Sequence, residues 1–327
     1  MTMIMKRRNL AAMLATAIVG LTLSGTGVAQ TFPSKPIRII VPFTAGDLAD
    51  TIARMLVPKM SEELGQPVVV ENRPGASGQL GLQTALQAEA DGHTLILGQM
   101  GGMAVAPNIN RQPFKIREEF VAVAPAYANY MLLVAHPEVQ GNTVKELVAF
   151  SKANPGKLTL ATNGVGGFPH LAMELLKEGT NLDYLHVPYK GSSQIPLDII
   201  AGRVDLTILG YSTLIKHVES GKLKAIAVTG PKRPVNSPGI PTMAETVPGY
   251  SALGWFGFFA RKGTPEQAIA VINDAVVAAV KTPDVMERAR TLDLDPIPGS
   301  AQDIEKLWHQ DFDRWGRIIR EQNLSPK

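Results

Sequence analysis

A nearly unbroken alternation of β-branched runs with segments of helical spacing constrains the fold of this chain more than any other feature. Residues 37–43 form one such run. Leu48, Ile52, Met55, Leu56, Met60 and Leu64 then recur on one helical face, ended by Gly65 where a left-handed cap belongs. Pro58 lies inside that helix, removes an amide donor and predicts a kink. Val68–Val70 is the next strand, Ser77 caps a helix expected to reach about Ala90, and Thr94–Leu97 is a strand again. The pattern resumes with Thr143 and Glu146, a capping box for a helix ending near Asn154, then a strand Leu158–Thr162 and a helix opened by Pro169. Leu185–Val187, Val204–Leu209 and Ala225–Val228 read as strands, with a helix near 194–202. Three helices close the chain, starting at Thr264-Pro265-Glu266, at Thr282-Pro283-Asp284, and at Ser300 with Asp303. Alternation of this kind builds parallel sheets covered by helices, an α/β architecture.

Two apolar stretches, 121–135 and 251–260, lack helical spacing and suit extended segments passing between two lobes. They divide the chain into a discontinuous first lobe, 30–128 with 252–327, and a continuous second lobe, 129–251. Trp255, Phe256, Phe258 and Phe259 alternate with small residues and read as the core of a crossing strand. Pro231, Pro234, Pro238 and Pro241 mark 231–242 as a surface loop.

Residues 1–29 read as a secretory leader. Lys6, Arg7 and Arg8 precede the uncharged apolar run Leu10–Leu23, and Gly27-Val28-Ala29 is a small-residue cleavage signal, so cleavage is expected after Ala29 and the mature chain in the periplasm. The run is shorter than the roughly 20 residues of a spanning helix, which argues against an uncleaved anchor. Arg7-Arg8 also fits twin-arginine export, which leaves the export route open. The leader holds three basic and no acidic residues, so its removal takes the net charge from +3 to zero, and no nucleic-acid footprint remains. The chain has no cysteine, so neither disulfides nor thiolate metal sites are available, and core burial alone must hold it together.

Two glycine-bearing loops stand at strand ends just before helices: Pro42-Phe43-Thr44-Ala45-Gly46-Asp47-Leu48-Ala49-Asp50, and Thr162-Asn163-Gly164-Val165-Gly166-Gly167-Phe168-Pro169-His170. Helix N-termini at the carboxyl ends of parallel strands present free amides and partial positive charge, which suits a carboxylate or phosphate, and glycine permits close approach. The same glycines also serve simple tight turns, and His170 could equally bond local backbone. Pro169 interrupts a dinucleotide fingerprint, and no Walker loop, His-Glu-x-x-His or Gly-x-Ser-x-Gly motif occurs, so no catalytic or metal site is indicated.

These loops and their surroundings resemble the Bug family, the periplasmic substrate-binding component of tripartite tricarboxylate transporters. The likeness rests on Val41-Pro42-Phe43 with Ala45-Gly46 and Asp50, on Gly65–Gly75, Asp91-Gly92-His93-Thr94-Leu95, Pro169-His170-Leu171-Ala172, His186–Gly191, Gly221–Ala225 and Gly263-Thr264-Pro265, in that order. It implies a type II periplasmic-binding-protein-like fold, two doubly wound lobes with a ligand cleft between them. It further implies a monomeric solute-binding protein that is not an enzyme, needs no cofactor, and passes a small organic acid to the membrane components of a transporter. A ligand carboxylate would be held by backbone groups and bridging waters between the two loops. The expected ligand contacts are Phe43, Thr44, Ala45, Gly46, Asp47 and Asp50, then Gln99, then Gly166, Gly167, Phe168 and His170, then Gly210 and Tyr211.

Four positions depart from the family pattern. Asp47 replaces a second glycine, Gly167 and Phe168 replace small hydroxyl residues, and Leu209 stands where an acid is usual. They predict a less polar pocket suited to an aromatic or longer apolar monocarboxylate, provided that Asp47 turns away to cap its helix. An extracytoplasmic sensor using the same pocket is the alternative, and an exported α/β hydrolase a further one, although the sequence offers it no nucleophile.

Overall fold

Two sheets carry the alternating segments, and both follow the same plan. The computed structural model describes residues 32–75, 78–110, 113–234 and 236–324, so the leader and Ser77 lie outside the described residues. In the first sheet β1 (Ile37–Val41) lies between β2 (Val68–Asn72) and β3 (Thr94–Gln99), all parallel. Beyond β3 come β10 (Gly254–Arg261), antiparallel to it, then β4 (Phe120–Asn129) and the short edge strand β11 (Leu294–Pro296). In the second sheet β6 (Thr159–Thr162) lies between β7 (Leu185–Pro188) and β8 (Leu206–Gly210), again parallel. The antiparallel β5 (Met131–Ala135) and then β9 (Lys224–Val228) complete it. In each sheet the winding reverses beside the central strand. Ligands of such sheets bind outside the carboxyl ends at that reversal, here between β1 and β3 and between β6 and β8.

The helices are α1 (Leu48–Leu64), α2 (Gln79–Leu86), α3 (Ala106–Ile109), α4 (Ile116–Glu119), α5 (Val144–Ala153), α6 (Phe168–Thr180), α7 (Ile195–Ile200), α8 (Tyr211–Glu219), α9 (Glu266–Val280), α10 (Pro283–Thr291) and α11 (Ala301–Glu321). Helix α1 runs unbroken through Pro58, which is exposed. The carbonyl deprived of its donor is that of Arg54, also on the solvent side, where water can satisfy it. Helix α2 is shorter than expected: it begins after Gly78 in a left-handed conformation and ends at Leu86 rather than near Ala90. The capping box at 143–146 is half formed. Thr143 accepts from the Glu146 amide, whereas the Glu146 carboxylate takes the Asn142 amide. Ser300 and Asp303 form the complete reciprocal box of α11.

The chain passes between the sheets twice. Tyr130 alone separates β4 from β5, and residues 251–253 lead into β10. Tyr130 packs on Gly230, where an added Cβ would lie 1.9 Å from the ring, so only glycine fits beside it. Its hydroxyl donates to Asp295. Trp255, Phe258 and Phe259 are fully buried in β10, as their alternation predicted. Helix α11 spans the junction. Trp308 packs edge-on against Phe259, Trp315 against Phe168 of α6, and Arg317 forms a two-bond ion pair with Glu178. One continuous apolar core thereby joins residues of both sheets, from Ile40 and Ile96 through Trp315 to Leu133 and Leu171. No helix among the described residues is long and apolar enough to cross a membrane.

Candidate functional site

The loop after β1 is shaped from below by one carboxylate. Asp50 is 3 % exposed and accepts from the Gly46 amide at 2.8 Å, from Arg54 Nε at 2.9 Å and from Asn72 Nδ2 at 3.0 Å. Asn72 also donates to the Phe43 carbonyl at 3.1 Å, so β2 reaches over to fix the loop at both ends. Burial opposes ionisation of Asp50, but the bonds from Arg54, Gly46 and Asn72 outweigh it and hold its carboxyl below the ordinary range. Asp47 caps α1 by accepting from the Ala49 amide at 3.0 Å. Thr44, Ala45, Gly46 and Asp47 are exposed, and Gly46 has a left-handed φ of 84° with open space beside it.

The loop after β6 is held by histidines. His170 Nδ1 accepts from the Gly166 amide at 3.1 Å, and Thr162 Oγ1 donates to the Gly164 carbonyl at 3.1 Å. Behind them His186 lies 3.9 Å from His170, nearly parallel, with its Nε2 2.6 Å from Thr162 Oγ1. Glu174 Oε1 receives the Tyr184 hydroxyl at 2.7 Å and lies 3.6 Å from His170 Nε2, while its buried Oε2 has no partner. Burial, with the charge of His170 second, pushes His186 down to about 4. Burial likewise opposes ionisation of Glu174, and the contacts with His170 and Tyr184 outweigh it, so its carboxyl falls below the usual range. Gly166 is buried at a φ of 73°, and an added Cβ would meet Ile109 Cδ1 at 3.2 Å and the Leu324 carbonyl at 3.4 Å. Phe168 packs edge-on against Trp315.

Gly46→Ala and Gly166→Ala separate two costs at these loops. Both positions have left-handed backbone, but only Gly166 is walled in. Gly46→Ala should cost about 1 kcal/mol and Gly166→Ala about 2–3 kcal/mol in urea denaturation. Equal losses would show that the Ile109 and Leu324 contacts do not constrain the second loop.

Two further strand ends, those of β3 and β8, flank the central strands of the two sheets. Gln99 ends β3 and is followed by a wide π-helical turn, Gly101–Val105, that runs into α3. A Cβ at Gly102 would meet nothing within 4 Å. Of this segment only Gln99 is among the expected ligand contacts; Gly101-Gly102, a glycine pair at a strand end, carries a signal of the same kind. At the end of β8, Gly210 precedes α8 without offering a side-chain cap. Tyr211 is already committed: its amide donates to the Tyr130 carbonyl at 3.0 Å and its hydroxyl bonds Ser237. Leu209 is 2 % exposed and belongs to the apolar core beneath.

The arrangement therefore presents strand-end turns from both sheets, with glycine backbone open at Gly46, Gly102 and Gly164. Neither Gly167 nor Gly210 uses a side chain on the helix it precedes. Such turns can hold an anion through backbone amides without a buried cation. Among the described residues no group of three or more His, Cys, Asp or Glu side chains could hold a metal.

The chain is similar to known proteins over most of its length. Residues 52–324 match the tripartite tricarboxylate transporter family receptor. Protein BugT of Bordetella pertussis is 32% identical over 316 residues, covering 93% of this chain and 96% of its own. A solved R. palustris protein with adipate is 30% identical at a TM-score of 0.71, covering 90% of this chain and 100% of that one. MatC from Rhodopseudomonas palustris with bound malate is 28% identical at a TM-score of 0.66, covering 88% and 100%. Family and fold are those of substrate-binding proteins, which are not enzymes. The chain belongs to the tripartite tricarboxylate transporter family of receptors.

Proposed function

We infer that this protein is exported, loses its leader after Ala29, and captures a small organic carboxylic acid in the periplasm for delivery to the membrane components of a tripartite transporter. The observation that carries the reading is the set of strand-end turns on both sheets with open space beside Gly46, Gly102 and Gly164. The segments 30–128 with 252–327 and 129–251 act as two lobes that close on the ligand about Tyr130 and residues 251–253, a hinge motion. Binding of adipate and malate by the related proteins supports the acid class.

The side chains refine the ligand. Asp47 spends one carboxylate oxygen on the Ala49 amide, which lessens its repulsion of an incoming acid. Phe168 supplies an apolar wall rather than a hydroxyl, whereas Leu209 is core and does not set pocket polarity. An acid with an apolar body, aromatic acids included, fits this lining best. Calorimetric titration with adipate, malate, succinate, citrate and benzoate tests it. Adipate or benzoate should bind most tightly, and small-angle scattering should show compaction on binding. Tight binding of succinate or citrate alone would overturn the apolar-body assignment, and no binding of any acid would overturn the acid class.

A further inference from the structure

The second loop owes its shape to side chains that lie beneath it and bond its backbone directly. Gly164 and Gly166 both have positive φ, and Gly167 caps α6 with no side chain of its own. Two side-chain bonds fix the loop backbone from beneath, Thr162 Oγ1 to the Gly164 carbonyl and the Gly166 amide to His170 Nδ1.

Each bond dictates a proton position. The Thr162 hydroxyl has one hydrogen, and it is directed to Gly164. The 2.6 Å contact with His186 must therefore use a hydrogen on His186 Nε2. On His170 the relation is reversed. An amide N–H points at Nδ1, so Nδ1 must be bare and the ring hydrogen sits on Nε2, facing Glu174. A proton added to His186 at Nδ1 leaves its bond to Thr162 in place. A proton added to His170 at Nδ1 sets two donors against each other and expels the Gly166 amide.

We propose that the stacked His170–His186 pair is the positioning device of the second ligand loop, and that protonation of His170 releases the loop and with it the ligand. The proposal rests on the binding reading above. The surroundings decide which ring takes the proton. Two imidazolium rings 3.9 Å apart repel, so the pair accepts one charge. Glu174, on the same helix as His170, lies on the Nε2 side of that ring and has a buried oxygen with no partner. It draws the charge to His170, the ring it faces, while burial first and the charge of His170 second keep His186 low against the smaller upward pull of Glu174. The other ionisable groups linked to the pair are Tyr184, bonded to Glu174, Lys177, which lies over the Tyr184 ring, and Tyr250, whose hydroxyl donates to the Ala172 carbonyl of the same helix. None of them offers a second carboxylate to His186.

The test reads the loop without ligand. In protein labelled with 15N-glycine and 15N-histidine, His170 should show the Nε2–H tautomer at pH 7. The Gly164 and Gly166 amide signals should shift together as the pH is lowered from 7 to 5. In His170→Asn, whose side-chain oxygen replaces Nδ1 as an acceptor that takes no proton, both signals should hold still over the same range. Adipate affinity should fall about tenfold more between pH 7 and pH 5 in the native protein than in the variant, the loss of one bond of about 1.4 kcal/mol. The ligand's own protonation is common to both proteins and cancels. An Nδ1–H tautomer on His170, or a loop that titrates unchanged in His170→Asn, overturns the proposal. The loop signals decide it whether or not adipate binds, and failure of adipate to bind bears on the ligand class instead.

Discussion

Asp50→Ala should destabilise the protein by about 3 kcal/mol and abolish ligand capture, because one buried carboxylate holds the first loop together. Its bonds to the Gly46 amide, Arg54 and Asn72 are charge-assisted, each worth about 1.5–3 kcal/mol in a buried setting. Arg54 is half exposed, so its share is discounted for solvent screening. Loss of the carboxylate leaves the Gly46 amide and the Asn72 amide group without their acceptor and frees the loop between them. Asp50→Asn is expected to do little better. It keeps the shape but turns two donors toward a site that already holds several. The carboxyl of Asp50 lies below the ordinary aspartate range in the folded protein. Its stabilisation is therefore complete above that range and disappears as pH falls through the folded value. Urea denaturation at pH 7 and pH 3 should show the gap between native and Asp50→Ala narrowing in acid. A variant that binds acids with native affinity would sink the role assigned to Asp50.

How the sequence encodes the fold is clearest at the strands. Runs such as 37–43 and 158–162 announce themselves because both faces of a helix-covered parallel strand are buried, so apolar residues need not alternate. The two crossings were legible for the related reason that 121–135 and 251–260 carry apolar residues without helical period. The first of them breaks at Tyr130, within two residues of the 128/129 boundary expected between the lobes, and its contact with Gly230, a hundred residues away in the chain, has no local signal. The early end of α2 and the π-helical turn after Gln99 were likewise invisible. So was the close seat of α2: a Cβ on Gly81 would meet Pro42 Cβ at 2.6 Å, so α2 lies hard against the first loop.

At the site, the loops could be read, and so could the capping by Asp47 and the backbone bond of His170 as one of two options. The role of Asp50 could not be read, because its partner Asn72 lies on another strand. In three dimensions Asp47 caps α1, Asp50 ties the loop to β2 and His170 holds a backbone amide. Asn72 and His186 do as much for the loops as any of these, yet they come from neighbouring strands and no local spacing points to them.

The second large effect concerns the other crossing. Arg314→Met should cost about 3–5 kcal/mol at pH 7, and adding Asp311→Asn to it should restore most of that loss. Asp311 is 2 % exposed on α11, accepting from Trp255 Nε1 at 2.8 Å and from Arg314 Nη2 at 2.6 Å. Arg314 also donates to the Ser251 carbonyl, so it pins the crossing segment to the helix that spans both sheets. Without it the carboxylate stays buried with no counter-charge, the situation in which breaking an ion pair is most damaging. Replacing the carboxylate as well removes the stranded charge while an amide oxygen can still accept from Trp255. Burial already raises the Asp311 carboxyl above its ordinary range, against the pull of Arg314 and Trp255. Removing Arg314 raises it further. A group raised in the folded state favours folding below its unfolded value and loses that contribution as pH climbs through the folded one. The Arg314→Met deficit should therefore shrink toward pH 4 in urea denaturation, whereas the double variant should show no such dependence. A deficit that is flat with pH, or that persists in the double variant, would place the cost in lost side-chain packing and the Ser251 contact rather than in the buried charge.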